Sequence, residues 1–381
     1  MNDRVNQGIL KSHLKTLIAL SESNDPVFSF YLNLDRPVAA TLHAVKNELR
    51  QMRHLLTASS RPQSLEVEAV VAHFIAKEAH PLSKSAAIFV RAGEQPFYLP
   101  IQFQLPIDDR ITIDAVPHIV PLIEFRDRYD RYVVLVSNEK EARIFEIVLG
   151  EVSKAQWLAR PELRKRIGRE WTREHYRNQR RGETDRFIQE KIALLKQVFS
   201  RGGYGHLILS GEPEWVARVE AALPKVLREK VIETLPDIAG DGPADIVMPT
   251  IQAFVAEETQ ESKQNLKRLE DAVLSDGNAA IGIRPCEQAL EQRQVDMLLI
   301  TQNEENATPQ NDADYSRLRV HRHTAKGGNK QATTIANRRE GVLKMAIEQD
   351  IPVEFVSLGS FLDNFDGVGV LLRFKQALTQ N

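Results

Sequence analysis

Short apolar runs separated by stretches of helical period set the limits on what this chain can fold into. Val27–Leu32, Ala86–Val90, Tyr132–Ser137, His206–Ser210, Asp296–Ile300 and Val353–Val356 are four to six residues long and mostly Val, Ile, Leu, Phe and Ala. Runs of that length bounded by turn residues read as strands. Between them apolar residues recur at near 3.6 spacing, as in Leu42, Val45, Leu49, Met52 and Leu56, or Ile188, Ile192, Leu195 and Phe199, which predicts amphipathic helices. Strands alternating with helices over the whole length predict α/β layers.

At about 150 residues per domain, 381 residues suggest two or three domains. Two polar stretches divide them. Phe125–Arg131 reads as one linker, and Pro236–Pro243, with two Gly and two Pro, as the other. The expectation is three consecutive mixed α/β domains over residues 1–128, 129–240 and 241–381. Thr301 to about Thr334 reads as a polar, mobile loop. No stretch approaches the roughly 18 to 20 apolar residues of a membrane span. The start, MNDRVNQGILKSHLK, carries no apolar core before a small-residue cleavage site, so a cytoplasmic protein is expected. A single cysteine, Cys286, excludes an intramolecular disulfide and any zinc site built on thiolate pairs.

Charge is nearly balanced overall, at −2, but not evenly spread. Residues 160–181 read RPELRKRIGREWTREHYRNQRR, with nine basic and three acidic side chains; this stretch carries +6 and the remainder −8. The basic residues are Arg160, Arg164, Lys165, Arg166, Arg169, Arg173, Arg177, Arg180 and Arg181. From Arg173 to Arg186 the only sizeable apolar side chain is Tyr176, so that half of the helix has nothing to bury. Arginine suits bidentate phosphate contact, and Trp171, His175 and Tyr176 supply faces for unstacked bases. The ordinary fate of a charge run is a solvated helix end; the sign asymmetry favours RNA contact through these twelve residues.

The order of segments resembles the eukaryotic and archaeal class-1 release factor and Pelota superfamily, in its bacterial form. Pro26–Leu34 and the helix after it resemble that family's first domain. Tyr132–Ser137, Ala142–Ile147, the basic loop, Phe187–Phe199 and His206–Gly211 resemble its central domain in order. Gly277–Gly282, Glu287–Glu291, Val295–Ile300 and the ending Phe365–Phe374 resemble its third. The family's release factors carry Gly-Gly-Gln at the tip of the central loop; here the tip reads Gly168-Arg169-Glu170-Trp171, without Gln. Gly202-Gly203 and Gly327-Gly328 stand in the wrong places, as a turn before a strand and in a flexible loop. In character the chain is most similar to Balon-type ribosome hibernation factors, which lack that motif. The resemblance implies ribosome and rRNA as partners. The first domain would face the decoding centre, the central loop the peptidyl transferase region, and the third domain the stalk base or a translational GTPase such as EF-Tu. It implies no cofactor, and an occupant of the A site that inhibits or protects the ribosome, as in stress. The alternatives from other classes are a peptidyl-tRNA hydrolase acting in rescue and an RNA-binding adaptor off the ribosome.

The remaining motifs have plainer readings. His321-Arg322-His323 lacks an acidic or thiolate partner for a metal. Cys286 at a helix start reads as an inert, half-buried thiol. Glu170, Glu174 and His175 have the composition of an acid/base set but read as orienting the arginines. Trp157 and Trp215 read as core.

Overall fold

The computed structural model describes residues 7–20, 23, 25–53, 61–160, 173–238, 240, 242–302, 319–321 and 330–374. Two compact units form: residues 1–128 together with 259–381, and residues 129–258.

The first unit begins with α1 (Gln7–Ile18), β1 (Val27–Asn33), α2 (Val38–Met52) and α3 (Arg61–His73), the last running on into a π-helical turn, Phe74–Glu78. Then come β2 (Ser85–Arg91), β3 (Phe97–Phe103), β4 (Arg110–Asp114) and α4 (Val120–Arg128). β1 lies between β2 and β4 and is antiparallel to both. Its alternate residues Phe28, Phe30 and Leu32 pack against Val45 and Leu49 of α2, Val67 and Val71 of α3, and Phe74. On its other face the Tyr31 hydroxyl donates to the His118 carbonyl at 2.5 Å. A central strand buried on both faces must be apolar throughout, which is why Val27–Leu32 stands out in the sequence. The linker expected over Phe125–Arg131 is instead mostly helix. Phe125 is buried in α4, its ring centre 4.4 Å from that of Phe103, because Val120, Leu122 and Ile123 upstream of it also turn inward.

The second unit holds β5 (Arg131–Ser137), β6 (Glu141–Val148), β7 (Glu151–Ala159), α5 (Arg173–Ser200), β8 (His206–Gly211), α6 (Pro213–Ala222), α7 (Lys225–Arg228) and β9 (Val231–Leu235). The sheet order is β7-β6-β5-β8-β9. β5, β8 and β9 run parallel, whereas β6 is antiparallel to β5 and β7. The β5–β6 turn falls at Asn138, as the sequence indicates. Its Oδ1 accepts from the amides of Lys140 and Glu141 at 2.9 and 2.8 Å, an Asx-type turn. On one face of the sheet, Ile188, Ile192, Leu195 and Val198 of α5 meet Val133, Leu135, Ile144, Leu207 and Leu209. The opposite face is covered by the first part of α8 (Pro243–Leu274), whose residues up to Glu258 belong to this unit. Phe254 stacks on Tyr132 at 4.5 Å, and the Tyr132 hydroxyl is 2.9 Å from Thr250 Oγ1.

The rest of α8 returns to the first unit, with β10 (Ala279–Ile281), α9 (Ile283–Glu291), β11 (Val295–Thr301), β12 (Arg319–His321), α10 (Lys330–Glu348), β13 (Val353–Val356), a 3-10 turn at Phe361–Phe365, and β14 (Val368–Leu372). β10-β14-β11-β13 form one sheet, with β11 and β13 parallel. The stretch expected as loop from Thr301 contains β12, which pairs with β4 at the edge of the other sheet; most of that stretch, including His323 and Gly327-Gly328, lies outside the described residues. Among the described residues no helix is long and apolar enough to cross a membrane.

Cys286 is fully buried in α9, its thiol 3.6 Å from the Ala280 carbonyl. Burial, reinforced by Glu287, pushes the thiol up to about 12. A thiol in that state is neutral at pH 8 and screened from reagents. Titration with a disulfide reagent is expected to give essentially no reaction in the folded protein and one equivalent in denaturant. Rapid native labelling would overturn the placement.

Candidate nucleic-acid interface

The basic segment leaves the central sheet at the end of β7 and comes back as α5. Its two ends are clasped. The Arg160 amide donates to the Lys140 carbonyl at 2.7 Å, continuing the β6–β7 pairing by one residue. Its guanidinium, nearly buried, donates from Nη2 to Thr184 Oγ1 on α5 at 3.0 Å. Nη1 is 3.6 Å from Glu139, and the guanidinium carbon stands 5.9 Å from the centre of the Trp215 ring. The end of β7 and α5 are therefore tied together by one arginine and one threonine.

Lys191 lies beneath this clasp. It is fully buried, one helical turn after Phe187 on the apolar stripe of α5. Its amine donates to Ser137 Oγ at 2.7 Å and to the Asn138 carbonyl at 3.1 Å. The same nitrogen is 4.2 Å from the Phe187 ring centre and 5.3 Å from that of Trp215, both cation–π distances. Burial lowers the amine to about 8; Arg160 adds to the depression and Glu212 opposes it. Ser137 closes β5, and its register partner Gly211 closes β8. In open α/β sheets this place, at the carboxyl ends of parallel strands where the chain order reverses, is the usual ligand crevice. Here the chain's own cation fills it.

A serine bonded to a lysine of lowered pKa has the composition of a nucleophile and its base. Ser137 is 1 % exposed and Lys191 not at all, so no substrate reaches the pair. Its work is to fix the floor on which the loop stands. Elsewhere in this unit His206 Nε2 stands 3.1 Å from Glu258 Oε1.

Of the twelve residues singled out in the sequence, Arg160 forms the clasp and Arg181 is exposed on α5. Arg173, His175, Tyr176, Arg177 and Arg180 occupy the first turns of α5, where the backbone alone is described. Arg164, Lys165, Arg166, Arg169 and Trp171 lie outside the described residues, as do Glu170 and the rest of the loop tip. Trp215 is core, as expected, but Trp157 is not: on β7 it is 58 % exposed. Sequence reasoning missed Thr184 and Lys191. A lysine on an apolar stripe, at the position where Ile or Leu belongs, is the signal that marks Lys191.

Residues 117–255, which include the whole loop, match the family model described as bacterial archaeo-eukaryotic release factor family 10. No curated protein matches the chain. Among solved structures, the archaeal translation termination factor aRF1 is similar at 16 % identity over 97 % of this chain and 99 % of that one, with a TM-score of 0.28. Pelota of Archaeoglobus fulgidus is similar at 14 % identity over 75 % and 79 %, with a TM-score of 0.35. Dom34 of S. cerevisiae, a translation termination-like factor of RNA quality control that interacts with Hbs1, is similar at 11 % identity over 78 % and 82 %, with a TM-score of 0.40.

Proposed function

We propose, from the match of residues 117–255 to bacterial archaeo-eukaryotic release factor family 10, that this chain is a ribosome-binding factor of the release factor and Pelota superfamily acting by occupancy rather than by chemistry. The observation that carries the reading is the arginine-rich loop. By the resemblance in segment order it takes the place of the superfamily's Gly-Gly-Gln loop, the expected tip Gly168–Trp171 has no Gln, and it concentrates +6 on a body of −8. A loop of that charge is matched to rRNA phosphates, and its affinity comes chiefly from counterion release. The clasp at Arg160 and Thr184 supports presentation of the loop from a fixed base.

In this reading residues 129–240 present the loop toward the peptidyl transferase region. Residues 1–128 face the decoding centre, and residues 241–381 face the stalk base or an EF-Tu-like GTPase. The factor holds the A site of a cytoplasmic ribosome and silences or protects it, as Balon-type hibernation factors do. No step of ester cleavage is assigned to it.

Co-sedimentation with vacant bacterial ribosomes tests this. The wild type is expected to bind at physiological salt. Changing Arg164, Arg166, Arg169 and Arg173 together to Glu turns the +6 of residues 160–181 into −2, and is expected to weaken binding by about a thousandfold or more, roughly 4 kcal/mol. A wild type that stays at the top of the gradient overturns the ribosomal reading. Hydrolysis of peptidyl-tRNA by ribosome-bound protein, lost in Glu170→Gln or His175→Ala, would replace occupancy with the rescue reaction.

A further inference from the structure

An exposed tryptophan is unusual, because the indole is among the side chains that gain most from burial. Trp157 is more than half exposed on β7, the end strand of the central sheet. It is not a stray surface residue. Its direct partner across the β6–β7 pairing is Arg143, whose guanidinium carbon lies 5.5 Å from the centre of the indole. Arg143 is itself buried; it donates to the Gly240 carbonyl at 3.3 Å and stands 3.7 Å from Glu141. A fixed cation therefore backs the ring, while the ring stays open to solvent. The neighbours on the strand, Ser153, Lys154, Ala155 and Ala159, are exposed and small or flexible, so none of these strand residues shades it. Three residues further on, at Arg160, the +6 segment begins.

We propose that Trp157, held by Arg143, is a stacking platform for an unpaired nucleobase of single-stranded RNA. This rests on the loop being an RNA contact and adds where a base goes. A flat, rigid aromatic accepts any base, and backing by Arg143 orders the ring before the ligand arrives. Charge alone attracts duplex and single strand alike, whereas an open indole discriminates in favour of unpaired bases. Leu158 packs toward α5 and Arg160 bonds Thr184 of that helix, while Trp157 points to the opposite side of the sheet.

The test is binding of a short single-stranded oligoadenylate and of an abasic oligonucleotide of the same length and charge. Wild type, Trp157→Ala and Trp157→Phe are compared, with the fourfold Arg→Glu variant alongside. Trp157→Ala is expected to bind the oligoadenylate about 5- to 150-fold more weakly, with an unchanged slope of log affinity against log salt. Trp157→Phe should restore most of the loss, and the difference between wild type and Trp157→Ala should vanish on the abasic strand. Because Trp157 is exposed, the Ala variant is expected to keep the wild-type melting temperature. Equal affinities of wild type and Trp157→Ala for the oligoadenylate would overturn the platform while leaving the loop reading intact. A loss that persists on the abasic strand would also overturn it, since the ring would then be meeting sugar or protein. A wild type that ignores the oligonucleotide sinks the platform, and ribosome co-sedimentation then shows whether the ribosomal reading falls with it.

Discussion

Gly211→Ala is expected to cost the central unit roughly 3 to 5 kcal/mol. Two separate terms add. Gly211 has φ +134°, a region that side-chain-bearing residues rarely enter and where strain costs on the order of 1–3 kcal/mol. A Cβ built there would lie 2.0 Å from the Ser137 carbonyl oxygen and 2.8 Å from its carbon. Those atoms are backbone at the paired ends of β5 and β8, so they cannot rotate away, and crowding of this kind adds about 1–3 kcal/mol. The loss is a large part of an ordinary domain's stability of ~5–15 kcal/mol. It should appear as a fall in Tm of about 10 °C or more. Gly205→Ala is the control, because nothing lies within 4 Å of a Cβ there; its effect should stay within about 1 kcal/mol. If Gly211→Ala unfolds within that same margin, the backbone does not take this path between β5 and β8. The functional consequence is indirect: the strand ends that Gly211 brings together form the floor beneath the basic loop, so ribosome binding should fail in step with the fold.

The residues that made the fold legible are those buried on two faces. β1, β5, β8 and β11 are continuous apolar runs, and each was readable from the sequence because a central strand of a covered sheet has no solvent face to betray with polar residues. The strands that escaped notice were β4, β7, β9 and β12. β7, Glu-Val-Ser-Lys-Ala-Gln-Trp-Leu-Ala, ends its sheet and mixes exposed polar residues with small ones. At such a position the hydrophobic signal is halved, and pairing with β6 decides the conformation. The same cause explains the misreading of Trp157. An apolar face was expected to carry it into the core, yet alternation turns Leu158 toward α5 and leaves Trp157 exposed. Phe125 erred in the opposite sense: the charges around it suggested a linker, but they lie on the outer side of a helix that packs by its apolar residues. The charge of the loop was fully legible, since it is a sum over residues. What holds the loop's base was not, because Arg160, Thr184 and Lys191 meet only after β7 and α5 have been placed side by side. Nothing in the spacing of those three residues announces that meeting.

Lys191→Ala is expected to lower the stability of the central unit by roughly 2 to 4 kcal/mol, as for other large buried side chains cut back to Ala. Three methylenes and the amine are lost from between Phe187 and Trp215, and Ser137 Oγ and the Asn138 carbonyl lose their donor. Lys191→Met keeps most of the volume and removes only the charge and the donor, so it isolates the electrostatic part and should cost about 1–3 kcal/mol near neutral pH. The pH dependence of that gap identifies its cause. The folded amine titrates at about 8, pushed down first by burial and then by Arg160, with Glu212 opposing; an unfolded lysine titrates near ~10.4. Between those values the unfolded chain binds more protons than the folded one, so unfolding free energy rises with pH across the window. The full contribution is present above the unfolded value and is lost as pH falls through the folded one. Met does not titrate. The wild-type advantage over Lys191→Met should therefore be flat below pH ~8 and grow by on the order of 2–3 kcal/mol toward pH ~10.4. Urea unfolding of the two proteins at a series of pH values measures this. A gap that stays constant across the window would mean that the amine is solvated, and that the clasp at Arg160 stands over water rather than over a buried cation. A gap that widens as expected would mean that the folded protein holds this amine more easily neutral than charged, tolerating the charge near neutrality only because oxygens and aromatic rings surround it, and that the central unit is firmer in mildly alkaline solution than at neutrality.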